Sequence, residues 1–331
     1  MTDILLIRHA EAEGNSARRI HGTYDALLTT RGYGQVALLR RALENERIDA
    51  VYASDLFRAR RTASAAAAPR GLDVALVPEL RERDFGEFED LPFAAAQKRI
   101  ADWGLSMWNL DSPGGELRER ARARFTDALR RIAREKDGGS VAVFAHGHVI
   151  ALFLCELLGI APGGGEIPLI GNTSVTRLEY RGGRFHIVSM GDAAHLPPPD
   201  SYVEKRGRLK RLPGQDSFNM DVLPLGGGTF ASYLGETETG RLYLAQGADH
   251  GLLSRIEMLP QWSGLGLGIQ LVGQAASHFR AAGLNHMRII DHEGAETFFA
   301  DAGFMHGEGF MERAVSVPAE DARLDSVHGE K

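Results

Sequence analysis

Apolar residues come along this chain in short blocks. Asp3-Ile4-Leu5-Leu6-Ile7, the run from Ile48 to Ala53 and Val141-Ala142-Val143-Phe144-Ala145 are of strand length and nearly continuous, the pattern of strands buried on both faces. Asp73 to Val77 reads as a further strand. Between these lie helical stretches: Gly32 to Asn45, an arginine-bearing and then alanine-rich segment after Ser54-Asp55, and the charged amphipathic run Glu116 to Lys136, ended by Asp137-Gly138-Gly139. Ser54 and Asp55 are suited to cap the helix that follows them. Alternating strands and helices predict an α/β fold, a mostly parallel sheet with helices on both faces. Val175 to Tyr180, the turn Arg181-Gly182-Gly183 and Arg184 to Met190 read as a closing β-hairpin.

The pattern restarts after a proline run. Leu196-Pro197-Pro198-Pro199-Asp200 can continue neither a helix nor a central strand, and is best read as a stiff spacer. The basic stretch Lys205 to Arg211 reads as a solvated linker face. From Ser217 short strands resume, then a glycine-rich turn at Gly264 to Gly268 and a helix from Ile269 to Ala282. The expected division is a domain at 1–199, a linker at 200–216, a second, smaller α/β domain at 217–317 and a frayed polar tail at 318–331.

Composition narrows the class. The 331 residues suit two domains at about 150 residues each. A hydrophobic share of 44% and a charged share of 25% describe a soluble chain with a sizeable core. The net charge of −6 gives no electrostatic case for nucleic acid. The single cysteine, Cys155, excludes an intrachain disulfide and a cysteine metal cluster, and its apolar surroundings read as a buried helix position. No apolar run approaches the ~20 residues of a membrane span, and Met1-Thr2-Asp3 leads into a strand unlike a signal peptide. The expectation is a cytoplasmic protein without membrane contact, its homo-oligomeric state open.

Candidate chemistry gathers at strand ends, where parallel sheets bind ligands. Arg8-His9 follow the first strand, Ser54 to Arg58 the second, and His146-Gly147 the run Val141 to Ala145; Glu82 lies just past the strand at Asp73 to Val77. Arginine forks bind phosphate, a neutral histidine can attack phosphorus, and a carboxylic acid can protonate a leaving oxygen. Glu87 and Glu89 compete with Glu82 for the acid role, and Arg60 and Arg61 read as surface charges beside Arg58. His146 and His148 lack a third metal ligand, so no metal site is expected.

These residues carry a resemblance. Leu6-Ile7-Arg8-His9-Ala10-Glu11 with Asn15, Leu28-Thr29-Thr30-Arg31-Gly32-Tyr33-Gly34-Gln35, Ser54 to Ala63 with Arg58, Glu82, Ser112-Pro113-Gly114-Gly115-Glu116 and Phe144-Ala145-His146-Gly147-His148 come in order. The set resembles the histidine phosphatase superfamily, which includes the cofactor-dependent phosphoglycerate mutases, over roughly Asp3 to Leu196. The resemblance implies a phosphoglycerate mutase-like fold and a small-molecule phosphomonoester as substrate. His9 would be the nucleophile, Arg8, Arg58 and His146 would hold phosphoryl oxygens, and Glu82 would be the general acid, with no cofactor. Asn15, Gly22, Thr23 and Gly147 would contact substrate. Mutases of the family carry a long basic insertion after the acid. Here Phe85 to Gly115 holds only Lys98 and Arg99, with Trp103, Met107 and Trp108, which suits a phosphatase with an apolar lid or side chains packed on the domain body. His148 reads as a substrate contact or a helix cap, Asn172 as structural.

The second domain carries another resemblance. Gln261-Trp262-Ser263-Gly264-Leu265-Gly266-Leu267-Gly268 after a strand from Leu253 that ends in Pro260, with Ala295 to Phe304 downstream, resembles the GNAT family of N-acetyltransferases. It implies a GNAT-like fold and acetyl-CoA or another acyl-CoA held by Met258, Gln261, Trp262, Ser263, Gly264, Leu265, Gly266 and Gly268. Phe299 stands where the family often has a tyrosine that protonates the thiolate, and phenylalanine has no such proton.

Overall fold

The computed structural model describes residues 1–161, 170–197 and 219–316; the basic stretch, the linker at 200–216 and the tail at 318–331 lie outside the described residues. Its first sheet has six strands: β1 (Thr2–Arg8), β2 (Ala50–Ala53), β3 (Val74–Leu76), β4 (Ser140–Ala145), β5 (Val175–Arg181) and β6 (Arg184–Asp192). Their order is β3-β2-β4-β1-β5-β6. The first four are parallel; β5 runs antiparallel to β1 and forms a hairpin with β6. The alternation of β1 explains its continuous apolar run. Ile4 and Leu6 face one side, under helices α5 (Arg118–Glu135) and α6 (Gly147–Leu158), with Phe125, Leu129 and Phe153. Leu5 and Ile7 face the other, under α2 (Thr30–Ala42) and α3 (Phe57–Ala67), with Leu39, Ala63 and Ala66.

Three local expectations are corrected. Neither Ser54 nor Asp55 caps α3: the Phe57 N–H donates to Asp25 Oδ1 at 2.7 Å, while Asp55 pairs with Arg81. A carboxylate from a distant loop supplies the cap because it also has to lie beside Arg58. Arg60 is buried, its guanidinium over the Phe57 ring, whereas Arg61 is exposed. Cys155 is half-buried on α6.

A second sheet of seven strands follows: β7 (Asp221–Gly226), β8 (Thr229–Leu234), β9 (Thr237–Gln246), β10 (Gly251–Met258), β11 (His286–Ile289), β12 (Met305–His306) and β13 (Met311–Ala314), in the order β12-β13-β11-β10-β9-β8-β7. Helix α7 (Gly268–Ala281) connects β10 to β11, and α8 (Glu296–Asp301) precedes β12. The parallel pairing of β10 with β11 is confined to Gly251–Met287 and Leu252–Arg288, so the carboxyl half of β10 parts from its neighbour. No described helix is long and apolar enough to cross a membrane.

The two units touch through α7. Gly273 lies against Ala17, and Arg19 donates to Gln274 and Ser277. Arg19 and Arg280 both pair with Asp90, and Arg313 pairs with Glu13.

Candidate active site

Because β2, β4 and β1 are neighbours, the segments leaving their carboxyl ends meet at one sheet edge. His9 leaves β1 with its N–H donating to Ala145 O, and its carbonyl accepts from Asn172 Nδ2 at 3.0 Å. Its Nδ1 lies 2.7 Å from Ala10 O. A carbonyl only accepts, so Nδ1 carries the hydrogen and Nε2 keeps its lone pair. The His9 and His146 rings are 5.2 Å apart, centre to centre. Ser54 Oγ accepts from the Leu56 N–H and is 2.9 Å from His146 Nε2. The serine hydrogen is then free to donate to Nε2, which leaves His146 Nδ1 as the ring's donor.

Arg58, on the first turn of α3, is fully buried; its two terminal nitrogens donate to Gly22 O at 2.7 Å and Tyr24 O at 3.0 Å. Arg8 donates to Ile170 O. Gly147 opens α6 against the Arg8 guanidinium; a Cβ there would stand 3.1 Å from Arg8 Cζ, so a larger residue would have to displace the guanidinium by a few tenths of an ångström. Arg8 Nε, Arg58 Nε and His146 Nδ1 are buried and make no hydrogen bond among the described residues. Burial, then the positive charges of Arg58 and Arg8, hold the His9 pKa well below the usual histidine value, so the ring is neutral at pH 7. His146 is lowered for the same reasons.

Glu82 is bound to the N-terminus of α6. It accepts from the N–H groups of Arg83 (2.9 Å), His148 (2.9 Å) and Val149 (3.1 Å). Burial nevertheless raises its pKa, against these donors and Arg58. Arg124 donates to Glu82 O and pairs with Glu116, which gives the Ser112 to Glu116 segment its place in the site.

The rival carboxylates have other partners. Glu87 pairs with Arg99 at the surface, and Glu89 accepts from the amides of Thr23, Tyr24 and Phe85. Thr23 commits both its amide and its hydroxyl to Glu89, and Gly22 turns its carbonyl to Arg58. Both therefore shape the Arg58 loop. Asn15 accepts from the Ala12 amide and from Asn172. His148 is neither a cap nor open to solvent: its ring stacks on Trp108 at 4.9 Å and meets the Phe85 edge. Trp103 lies edge-on to Phe88, and Met107 packs on the same cluster, so these side chains lie on the domain body.

Sequence reasoning missed Asp25 and His21, and offered Glu89 only as a rival acid, not as the carboxylate that holds the Thr23 and Tyr24 amides. His21 is half-buried, its Nε2 accepting from the Gly14 N–H, and its pKa is lowered by desolvation, Arg58 and His9. A lone histidine before Gly22 carries no periodic signal.

In the second unit, Met258 ends β10, Gln261 and Trp262 lie in a short 3-10 turn, and Gly264 and Gly266 hold φ of 71° and 74° just before α7. Ser263 is exposed and Leu265 packs partly on the core. Phe299 is buried in the core; Phe298 is the ring beside Gly268.

Residues 4–193 match the family model described as histidine phosphatase superfamily (branch 1). Over 208 residues the chain is 30% identical to proteins named probable phosphoglycerate mutase GpmB from Yersinia enterocolitica and Yersinia pestis, covering 60% of this chain and 97% of those. Among solved structures, YhfR of Bacillus stearothermophilus aligns with a TM-score of 0.56 at 26% identity, covering 59% of this chain and 99% of that one. Phosphoserine phosphatase of Entamoeba histolytica, in complex with 3-phosphoglyceric acid, aligns at 0.52 and 25%, covering 60% and 100%. A mycobacterial glucosyl-3-phosphoglycerate phosphatase, at 0.52 and 24% and covering 58% and 99%, shares the fold.

Proposed function

The chain belongs to the histidine phosphatase superfamily, and from that premise we propose that its first unit is a metal-independent phosphomonoesterase working through phospho-His9. The observation that carries this reading is the ring of buried donors without partners, Arg8 Nε, Arg58 Nε and His146 Nδ1, around a neutral His9. Phosphoryl oxygens satisfy those donors, and the arginines supply the positive charge phosphoryl transfer needs. His9 Nε2 attacks phosphorus as the ester P–O bond breaks, and Glu82 gives its proton to the leaving alkoxide. Glu82 then takes a proton from water as that water attacks the phosphohistidine, releasing phosphate and His9.

The relatives named phosphoglycerate mutase favour a second reading, in which the phosphoryl group returns to the substrate. Phosphate release from several phosphomonoesters separates the two: a phosphatase liberates one phosphate per ester consumed, a mutase isomerises with none. His9→Ala is expected to lower turnover at least ~10⁴-fold and abolish acid-labile labelling. Near wild-type turnover in that variant would exclude His9 as nucleophile.

For the second unit we infer acyl-CoA binding at Gln261 to Gly268. Support comes from the left-handed glycines leading into α7, whose first N–H groups lack intrahelical partners, and from the parting of β10 and β11 beside that turn. Phe298 and Phe299 offer no proton to a departing thiolate, so transfer to an amine needs another acid. Calorimetry with acetyl-CoA tests binding, and an acetylation assay then distinguishes transfer from sensing.

A further inference from the structure

We propose that the alcohol part of the phosphomonoester is held in a chamber shared by the two units, and that Asn219 and Phe298 of the second unit select it. The proposal rests on the phosphatase reading above. The phosphoryl pocket is closed around its own residues: His9 is 3% exposed, and Arg58 and His146 are fully buried. Arg8, Asn15 and Asn172 are site residues that also line a cavity of about 900 Å³. On its other side that cavity is lined by Ile269 and Phe298, which belong to the second unit. An ester whose phosphorus sits between Arg8 and His9 therefore has this cavity to receive its leaving group, and the volume suits a sizeable one.

The lining says what that group carries. Asn219 is 8% exposed and its Nδ2 donates to Gln97 Oε1 at 3.3 Å, while its Oδ1 is buried with no hydrogen-bond partner among the described residues. A buried acceptor left unsatisfied costs about 1–3 kcal/mol, so it is matched by a ligand donor, a hydroxyl or an ammonium. Phe298, with Phe93 from the first unit, offers ring faces to the C–H surface of the same group. Together these features describe the phosphomonoester of a polyol, amino sugar or amino alcohol.

The two sides of the chamber are held in register by charged contacts. Asp90 of the first unit takes both Arg19 and Arg280, and Glu13, two residues before Asn15, takes Arg313. The second unit is thus fixed against the helix that carries Asn15.

The test compares kcat/KM of the full chain for glycerol phosphate, glucosamine phosphate, phosphoethanolamine and p-nitrophenyl phosphate. Asn219→Ala is expected to lower kcat/KM for its preferred hydroxylated or amine-bearing ester by about 10–100-fold, mostly through KM. That loss should be at least tenfold larger than for p-nitrophenyl phosphate. Phe298→Ala should raise KM for the same esters. Asn219→Asp keeps an acceptor and the side-chain shape; it should retain the preference for amine esters and serves if the alanine variant does not fold. Equal losses across all four esters, or none, would overturn the proposal while leaving the phosphatase reading intact. Wild-type protein that releases no phosphate from any ester would overturn both.

Discussion

His148 is buried in a positively charged surrounding. Burial first, then the charges of Arg83 and Arg118, push its pKa down to about 3. Unfolded, it takes a proton near pH 6.5; folded, it refuses one until about pH 3. Between those values the unfolded chain binds more protons, so stability falls as the pH drops through that window, by up to about 1.4 kcal/mol per pH unit. His148→Phe keeps a ring against Trp108 and removes the proton. Its urea midpoint should change less between pH 7 and pH 5 than the wild-type midpoint does, and an identical change would contradict this account. Glu82 is shifted the other way, its pKa raised by burial, as suits an acid that must keep its proton closer to neutral pH. Glu82→Gln should slow alkyl phosphates by about 10²–10⁴-fold and p-nitrophenyl phosphate much less, since nitrophenolate leaves without a proton. Equal slowing would move the acid role elsewhere. The meeting of Arg8, His9 and His146 at one sheet edge was readable because each follows an apolar run at a strand end. Asp25 and Glu89 were not, because their partners are remote: Asp25 meets the Phe57 amide 32 positions away, and Glu89 meets Thr23 66 positions away.

Among the elements, α3 shows why a cap can matter to chemistry. Asp25 holds the Phe57 amide, one residue before Arg58, so the carboxylate that starts the helix also fixes where the buried Arg58 begins. Asp25→Ala should cost about 0.5–2 kcal/mol of stability. It should also lower kcat beyond what the folded fraction explains, because Arg58 loses its anchored first turn. Thermal melting with kcat measured well below the midpoint separates the two, and an unchanged kcat would reduce Asp25 to a cap alone. The strands were legible as continuous apolar runs, since a parallel strand covered on both faces cannot alternate. The start of α3 was not: Ser54 and Asp55 have the right chemistry for a cap, but Ser54 is engaged by His146 and Asp55 by Arg81. Local propensity chose between residues that tertiary contacts had already assigned.

At the scale of the whole molecule, the two sheets are joined by contacts no local pattern announces; Arg19 and Gln274 are 255 positions apart. The proline run after Leu196 marks a break in the pattern, and nothing in it says that the two units press together. Arg280 is one of the side chains that join the two units. It donates to Asp90 at 2.7 Å and to Val315 O at 3.0 Å, and lies over the Tyr24 ring at 5.1 Å. Asp90 follows Glu89, which holds the amides of Thr23 and Tyr24, and the Tyr24 carbonyl holds Arg58. The interface and the pocket around Arg58 thus share one loop. Arg280→Ala removes a partly buried charged contact, for which about 1–3 kcal/mol is expected. If the loop transmits that loss, kcat falls together with interface stability, and the double variant with Asp90→Ala falls by less than the sum of the two single changes. Calorimetry of wild type and variant reads the stability side, where the variant should unfold in two steps separated further than in wild type. Additive effects of the two substitutions on both stability and kcat would mean that the second unit is attached to the phosphate site without bracing it.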